Sequence, residues 1–133
     1  EKNHIGPLID KDAVNTYLAA IEKAKAEGGN VLVDGGVLEG EGYESGCYVK
    51  PSIIEAENHF EIVQHETFAP VLYIMKYKTL DEAIAMQNNV PQGLSSAIIT
   101  DSGISNCTMT ASADETSAES NDACWFAPSA TTI

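Results

Sequence analysis

The first part of the chain has a pattern of apolar and polar positions that predicts one amphipathic helix. Asp10 or Asp12 is placed to accept hydrogen bonds from the free N–H groups of a first helical turn, and Gly28-Gly29 is placed to end the helix. Between them, four apolar side chains recur at the spacing of a single helical face: Val14, Tyr17, Leu18 and Ile21. We expect this face to pack against the core.

Three apolar stretches farther along predict extended strands. The first is the short run at residues 31–33, and the second begins at residues 48–49, after an exposed Glu- and Gly-rich loop at residues 39–46. The longest run covers residues 71–77 and is broken only by Lys76. Such a continuous run predicts a strand that is covered on both faces in a parallel sheet.

A second helix and a further strand are predicted directly after this run. Thr79 stands three residues before Glu82, the spacing of a capping box, in which each side chain accepts a hydrogen bond from the other residue's backbone N–H. Apolar positions at 80, 83 and 84 continue the helix, and Pro91 follows its end. Residues 94–100 are again apolar. Strand, helix and strand with short connections predict a βαβ unit with a right-handed crossover, and therefore an α/β fold.

The charge and length of the chain narrow its class and its partners. A chain of 133 residues has the size of one domain. Its 20 acidic residues against 7 basic ones argue against nucleic acid as a partner, because phosphate backbones bind clusters of Lys and Arg. We expect no leader, because no charged-then-apolar stretch stands at the start of this sequence, and no apolar stretch approaches the length of about 20 residues that spans a bilayer. We therefore expect no membrane partner.

The cysteine and histidine spacings indicate no metal site. The three cysteines are an odd number at wide spacings, so neither a disulfide framework nor a metal cluster is expected: Cys47, Cys107 and Cys124. Free thiols suit the cytoplasm, which is the predicted location. The histidines also lack the spacing of a metal site or a proton relay: His4, His59 and His65.

The densest group of polar and aromatic residues stands directly before the run at residues 71–77. It is the segment His65, Glu66, Thr67, Phe68, Ala69 and Pro70. A carboxylate at Glu66 can bind a sugar diol while the Phe68 ring packs on a flat heterocycle. A surface glutamate and a core phenylalanine at these positions are equally ordinary in proteins that bind nothing there. The residues alone leave both interpretations open.

Residues 65–71 resemble the Glu-x-Phe-Gly-Pro element of aldehyde dehydrogenases. Four neighbouring stretches are similar to the same family in the same order: residues 6–8, 24–29, 48–53 and 92–96. The resemblance covers residues 4–100. Ala69, where the general motif has glycine, and the stretch at 92–96 resemble the antiquitin branch, the α-aminoadipic semialdehyde dehydrogenases.

This resemblance implies a fold, a reaction and two site residues. The chain would be the C-terminal part of the aldehyde dehydrogenase catalytic domain, a partial three-layer α/β sheet, from a homo-oligomeric parent that oxidises an aldehyde or semialdehyde to the acid with NAD or NADP. By resemblance, Glu66 binds the hydroxyls of the nicotinamide ribose and Phe68 packs near the nicotinamide ring. Hydride transfer depends on such positioning.

The resemblance also implies what the chain lacks. The family's nucleophile, oxyanion donors, general base and nucleotide-binding domain lie upstream of the matching stretch, so no residue here is assigned a catalytic role and the isolated chain is expected to be inactive. Two rival hypotheses remain. One is a non-catalytic α/β module that associates with itself. The other is an unrelated small enzyme in which His65 and Glu66 act as a pair of catalytic bases.

The sequence changes character after Thr100, which suggests two regions. Every lysine lies at or before Lys78, and about half of residues 101–133 are Ser, Thr or Ala. A helix at residues 111–119 and a poorly ordered tail are both compatible with this composition. We interpret residues 1–100 as the partial catalytic domain and 101–133 as an atypical tail, hypothetically the product of a truncation or a frameshift.

Overall fold

The structure is a computed structural model that describes residues 5–91 in full and the backbone of two further strands. The described residues form two helices and seven short strands. These are α1 (Lys11–Ala26), β1 (Asn30–Val33), β2 (Gly36–Val37), β3 (Val49–Lys50), β4 (Ser52–Glu55), β5 (Val71–Ile74), α2 (Leu80–Asn88), β6 (Ser96–Thr100) and β7 (Gly103–Cys107). The predicted α/β class is confirmed. Among the described residues, no helix combines the length and apolar character needed to cross a bilayer.

Helix α1 begins and ends where the sequence predicts. Asp10 is the N-terminal cap, because its side chain accepts a hydrogen bond from the Ala13 N–H at 2.8 Å. Gly28 follows the helix with a φ of 103°, a conformation that glycine adopts without steric cost. The buried face is Val14, Tyr17, Ala20, Ile21 and Ala24. Leu18 was predicted on this face but is 37% exposed.

The central sheet has three strands in the order β1-β4-β5. Strand β4 pairs antiparallel with β1 and parallel with β5. Ile54 is paired with Val31 on one side and Tyr73 on the other, and this row packs in the core with the apolar face of α1. Cross-strand partners share one face of a sheet, so this is the covered face.

The opposite face of the sheet corrects one prediction. Its middle row is Val33, Ile53 and Leu72, of which Val33 is 45% and Leu72 39% exposed. The expectation of a strand covered on both faces is therefore wrong for β5. Strand β5 also ends at Ile74, before the predicted end at residue 77. The physical reason is that the residues described around it supply a helix layer on one face only.

A buried tyrosine ties α1 to the hairpin formed by β2 and β3. The Tyr17 hydroxyl donates a hydrogen bond to the Lys50 carbonyl at 2.6 Å and accepts one from the Gly36 N–H at 2.9 Å. A side chain at Gly35 would meet this hydroxyl, since a Cβ built there lies 1.8 Å from it. The close approach explains why a glycine stands at position 35.

One of the two hydrogen bonds predicted for the capping box before α2 is present. The Glu82 N–H donates to the Thr79 hydroxyl at 3.2 Å, which confirms Thr79 as the cap. The Glu82 carboxylate, however, accepts from the Lys78 N–H at 2.8 Å and not from that of Thr79. The carboxylate thus reaches one residue farther back than in the usual box.

Strand β6 corrects the predicted βαβ unit. It pairs antiparallel with β7, with Thr100 opposite Gly103, in a separate two-stranded sheet. Only residues 101–102 separate β6 from β7 in the sequence, whereas residues 75–95 separate β5 from β6. Pairing of β6 with β7 therefore closes a far shorter loop than pairing of β6 with β5 would. Of the strand predicted at 94–100, Ser96–Thr100 is described as a strand, and it is hydrogen-bonded to its neighbour in sequence. The helix considered at residues 111–119 lies outside the described residues.

Candidate cofactor site

The candidate segment enters β5 from a compact turn. Phe60, Ile62 and Val63 are buried in the core, and the Val63 N–H donates to the Phe60 carbonyl at 3.1 Å. The Ile62 N–H donates to the Glu27 carboxylate at 3.2 Å, which ties the turn to the end of α1. The chain is therefore fixed immediately before the segment at residues 65–70.

Alternate side chains of the segment point inward and outward. Thr67 is 4% exposed and Ala69 is also buried, whereas Glu66 is exposed and Phe68 is 69% exposed. Single exposed apolar side chains are normal on protein surfaces, so the exposure of Phe68 leaves room for a partner without requiring one. The structure thus leaves both the predicted carboxylate and the predicted ring accessible from outside. Their role stays a prediction.

The segment does not form a closed cleft. A cavity of about 600 Å³ lies elsewhere, at the other end of β5, where Met75, Lys76 and Met86 contribute to its wall. Glu66 and Phe68 do not line it. Both side chains are exposed, so the described sheet does not cover them either. An exposed carboxylate beside an exposed ring can contact a diol and a flat heterocycle, but the walls of such a site must come from other segments.

His65 and Glu66 do not form the pair of catalytic bases that the rival hypothesis requires. The His65 Nε2 lies 3.7 Å from the carboxylate of Glu61, four residues earlier in the chain, and both His65 and Glu66 are exposed. The Lys23 ammonium, and to a smaller degree His65, hold the pKa of Glu61 below its usual range. His65 therefore belongs to a surface ion-pair group with Glu61 and Lys23, whose Nζ is 2.9 Å from Glu61.

Neither a nucleophile nor a metal site emerges from the described part of the chain. The Cys47 thiol lies 3.6 Å from the Ser45 carbonyl and packs against the edge of the core. The Cys107 backbone lies in β7, and Cys124 is outside the described residues. In the regions the structure describes, no three His, Cys, Asp or Glu side chains are grouped to hold a metal ion.

The sequence assigned no role to two buried residues at the candidate segment, Thr67 within it and Tyr73 in β5. Tyr73 is buried in β5, and its hydroxyl makes no hydrogen bond of ordinary distance and angle, although the Thr67 side chain lies beside it. Burial, followed by the negative charge of Glu27, raises the pKa of Tyr73 to about 12. The signal that could have found them is the period of two, which places Thr67 and Tyr73 on the inner side.

Comparison with known proteins identifies the class of protein that carries this segment. The family model for the aldehyde dehydrogenase family matches residues 1–131. The chain belongs to the aldehyde dehydrogenase family. It is 47% identical over 96 residues to aldehyde dehydrogenase family 7 member A1 of Pisum sativum, an alignment that covers 72% of this chain and 18% of the relative.

A second relative confirms the predicted resemblance to the semialdehyde branch. The alpha-aminoadipic semialdehyde dehydrogenase of Bos taurus is 48% identical over 96 residues, which cover 71% of this chain and 17% of that protein. The chain thus spans less than a fifth of the length of the relatives that it matches.

Solved structures of the family share the fold. The betaine aldehyde dehydrogenase of Staphylococcus aureus, in complex with NAD+, matches with a TM-score of 0.63 and 29% identity, covering 69% of this chain and 18% of that one. A lactaldehyde dehydrogenase matches with a TM-score of 0.60 and 33% identity, covering 67% and 18%. About two thirds of this chain therefore shares its fold with solved aldehyde dehydrogenases.

Proposed function

We propose that this chain is the cofactor-facing part of an NAD(P)-dependent aldehyde dehydrogenase that oxidises a semialdehyde to the carboxylic acid. The observation that carries the proposal is the outward presentation of Glu66 and Phe68 at the start of β5. The semialdehyde as substrate class rests on the name of the Bos taurus relative. The cofactor rests on the NAD+ named with the Staphylococcus aureus structure.

The residues of the segment suit this role chemically. The Glu66 carboxylate is acceptor-only when ionised, so it can take hydrogen bonds from both hydroxyls of a ribose. The Phe68 ring offers an apolar face of the size of a nicotinamide, and Pro70 limits the backbone freedom of the segment. When bound, the nicotinamide accepts the hydride from the substrate. The part of this chain is to fix one end of a flexible cofactor.

Activity measurements test the proposal. The isolated chain is expected to produce no NADH from NAD+ and a semialdehyde. A polypeptide carrying the nucleotide-binding and nucleophile segments of a family relative is expected to restore production when added. In that mixture Glu66→Ala should lower kcat/KM for NAD+ about tenfold, because the carboxylate–diol contact positions the cofactor. Absorbance of NADH at varied NAD+ gives the result.

Glu41→Ala is the matched control, since Glu41 is an exposed glutamate in the acidic loop far along the chain from the segment. It should leave kcat/KM unchanged. Activity of the isolated chain would overturn the fragment interpretation. Equal kinetics of Glu66→Ala and Glu41→Ala in the supplemented mixture would overturn the proposed role of Glu66.

A second candidate function is a non-catalytic module that associates with itself. The observation that favours it is the open row of Val33, Ile53 and Leu72, next to the free edge of β1 in the described sheet. Exposed apolar faces and unpaired strand edges promote association. The net charge of −13 opposes it, since like-charged copies repel.

Sedimentation velocity over a range of concentrations and salt tests the second candidate. If the open row carries self-association, Leu72→Lys should weaken the dimer at least about tenfold, because an ammonium would then be buried in an apolar contact. Leu18→Lys is the matched control, since Leu18 is 37% and Leu72 39% exposed. A chain that stays monomeric at all concentrations, or equal effects of both substitutions, would exclude this candidate.

A further inference from the structure

The two predicted cofactor contacts are held apart by one buried residue. Thr67, 4% exposed, stands between the exposed Glu66 and Phe68. Because Thr67 is bonded to both Glu66 and Phe68, the directions of these two side chains depend on how the Thr67 side chain is held. A loosely packed residue at this position would let both outward side chains turn.

The backbone around Thr67 is fixed by short hydrogen bonds. The Ala69 N–H donates to the Thr67 carbonyl at 2.7 Å, and the Val71 N–H donates to the Ala69 carbonyl at 2.8 Å. Both close three-residue turns. The Ser52 N–H of β4 donates to the Pro70 carbonyl at 2.9 Å, which attaches the end of the segment to the sheet. These hydrogen bonds restrict the backbone from Thr67 to Val71.

Tyr73 is the buried neighbour of the Thr67 side chain. Its ring is buried in the core row with Ile54, and its hydroxyl lies beside the Thr67 side chain with no completed hydrogen bond. The nearby Glu27 carboxylate accepts from the Ile62 N–H. Thr67 and Tyr73 therefore meet at the hydroxyl end of the tyrosine, where both side chains are buried and the branched threonine restricts the space available to the segment.

We propose that Thr67, buried beside Tyr73, is a positioning residue that sets the direction in which Glu66 and Phe68 meet the nicotinamide end of the cofactor. This inference rests on the proposed function. Thr67 acts through its neighbours and touches no reacting atom. Its removal should therefore affect the cofactor and not the aldehyde.

Steady-state kinetics of the full chain, supplemented with the family nucleotide-binding and nucleophile segments, test the inference. Thr67→Ala should raise KM for NAD+ about fivefold and leave KM for the semialdehyde unchanged, because a loosened segment misplaces only the cofactor contacts. Thr67→Val retains the branched shape and should return KM for NAD+ to within about twofold of the original.

Val14→Ala controls for a merely structural effect. Val14 is buried in α1, outside the segment, and its truncation removes as many heavy atoms as Thr67→Ala does. It should leave KM for NAD+ unchanged. Equal KM values for NAD+ in Thr67→Ala and Val14→Ala, or no recovery in Thr67→Val, would overturn the positioning role. If Glu66→Ala also left KM for NAD+ unchanged, the proposed function itself would fail, and this result distinguishes the two failures.

Discussion

Replacing Tyr17 with phenylalanine is expected to lower the free energy of unfolding by about 2–4 kcal/mol. The substitution keeps the ring but removes a hydroxyl that serves two backbone groups, the Lys50 carbonyl at 2.6 Å and the Gly36 N–H at 2.9 Å. Both groups would lose their partner in a part-buried place, and an unsatisfied buried group costs about 1–3 kcal/mol. Urea unfolding followed by circular dichroism measures the loss.

Tyr48→Phe is the control for this substitution, since the Tyr48 ring is only half-buried and contacts the Tyr43 ring edge to face. It should change the free energy of unfolding by no more than about 0.5 kcal/mol. A loss for Tyr17→Phe as small as that of the control would mean that water replaces the hydroxyl. The tie between α1 and the β2–β3 hairpin would then contribute little.

The stability of the fold is expected to fall steeply in alkaline solution. The pKa of Tyr73 is about 12 in the folded chain against an ordinary value of 10.0, chiefly because burial disfavours the tyrosinate. Burial also raises the pKa of Tyr17. A raised pKa means that stability is fully present below pH 10 and is lost as the pH rises through 12. For Tyr73 alone the loss amounts to about 2–3 kcal/mol.

Urea unfolding at a series of pH values from 8 to 12 checks this expectation, with Tyr73→Phe as the comparison. Phenylalanine cannot ionise, so the stability of the variant should decline less over this interval. Below pH 10 the variant should be at least as stable as the original, because the hydroxyl that it lacks has no completed hydrogen bond in the fold. Parallel curves for the two proteins would show that Tyr73 ionises as easily when folded as when unfolded.

The parts of the fold that depend on local chemistry could be predicted from the sequence. The limits of α1 follow from the Asp10 cap and from Gly28, and the start of α2 follows from Thr79. Each of these signals acts through backbone groups within a few residues. The partner of the Glu82 carboxylate, by contrast, depends on how the chain approaches the helix, which spacing alone does not determine.

The parts that depend on distant segments could not be predicted. An apolar run shows that Leu72 can be buried, but whether it is buried depends on a second layer over the sheet. The pairing of β6 was wrong for a similar reason, since the run at 94–100 carries no information about which edge it joins. A neighbouring strand two residues away then has the advantage of a short loop.

The sequence likewise pointed to only some of the residues of the candidate site. Glu66 and Phe68 came from a resemblance to the Glu-x-Phe-Gly-Pro element, and their cofactor contacts stay a prediction. Thr67 and Tyr73 carry no motif, because a threonine between two motif residues and a tyrosine in an apolar run are both ordinary. Their importance depends on burial, which became visible only once the segment was placed against the sheet.

The parallel pairing of β4 with β5 has a consequence for the exchange of backbone amide protons with solvent. Parallel strands need a long connection, and here it is residues 56–70, which contain the candidate cofactor segment. A molecule held by Glu66 and Phe68 would therefore slow the opening of this connection and of both strands together. Deuterium uptake in β4 would then report occupancy at the segment, although β4 carries neither of the two contact residues.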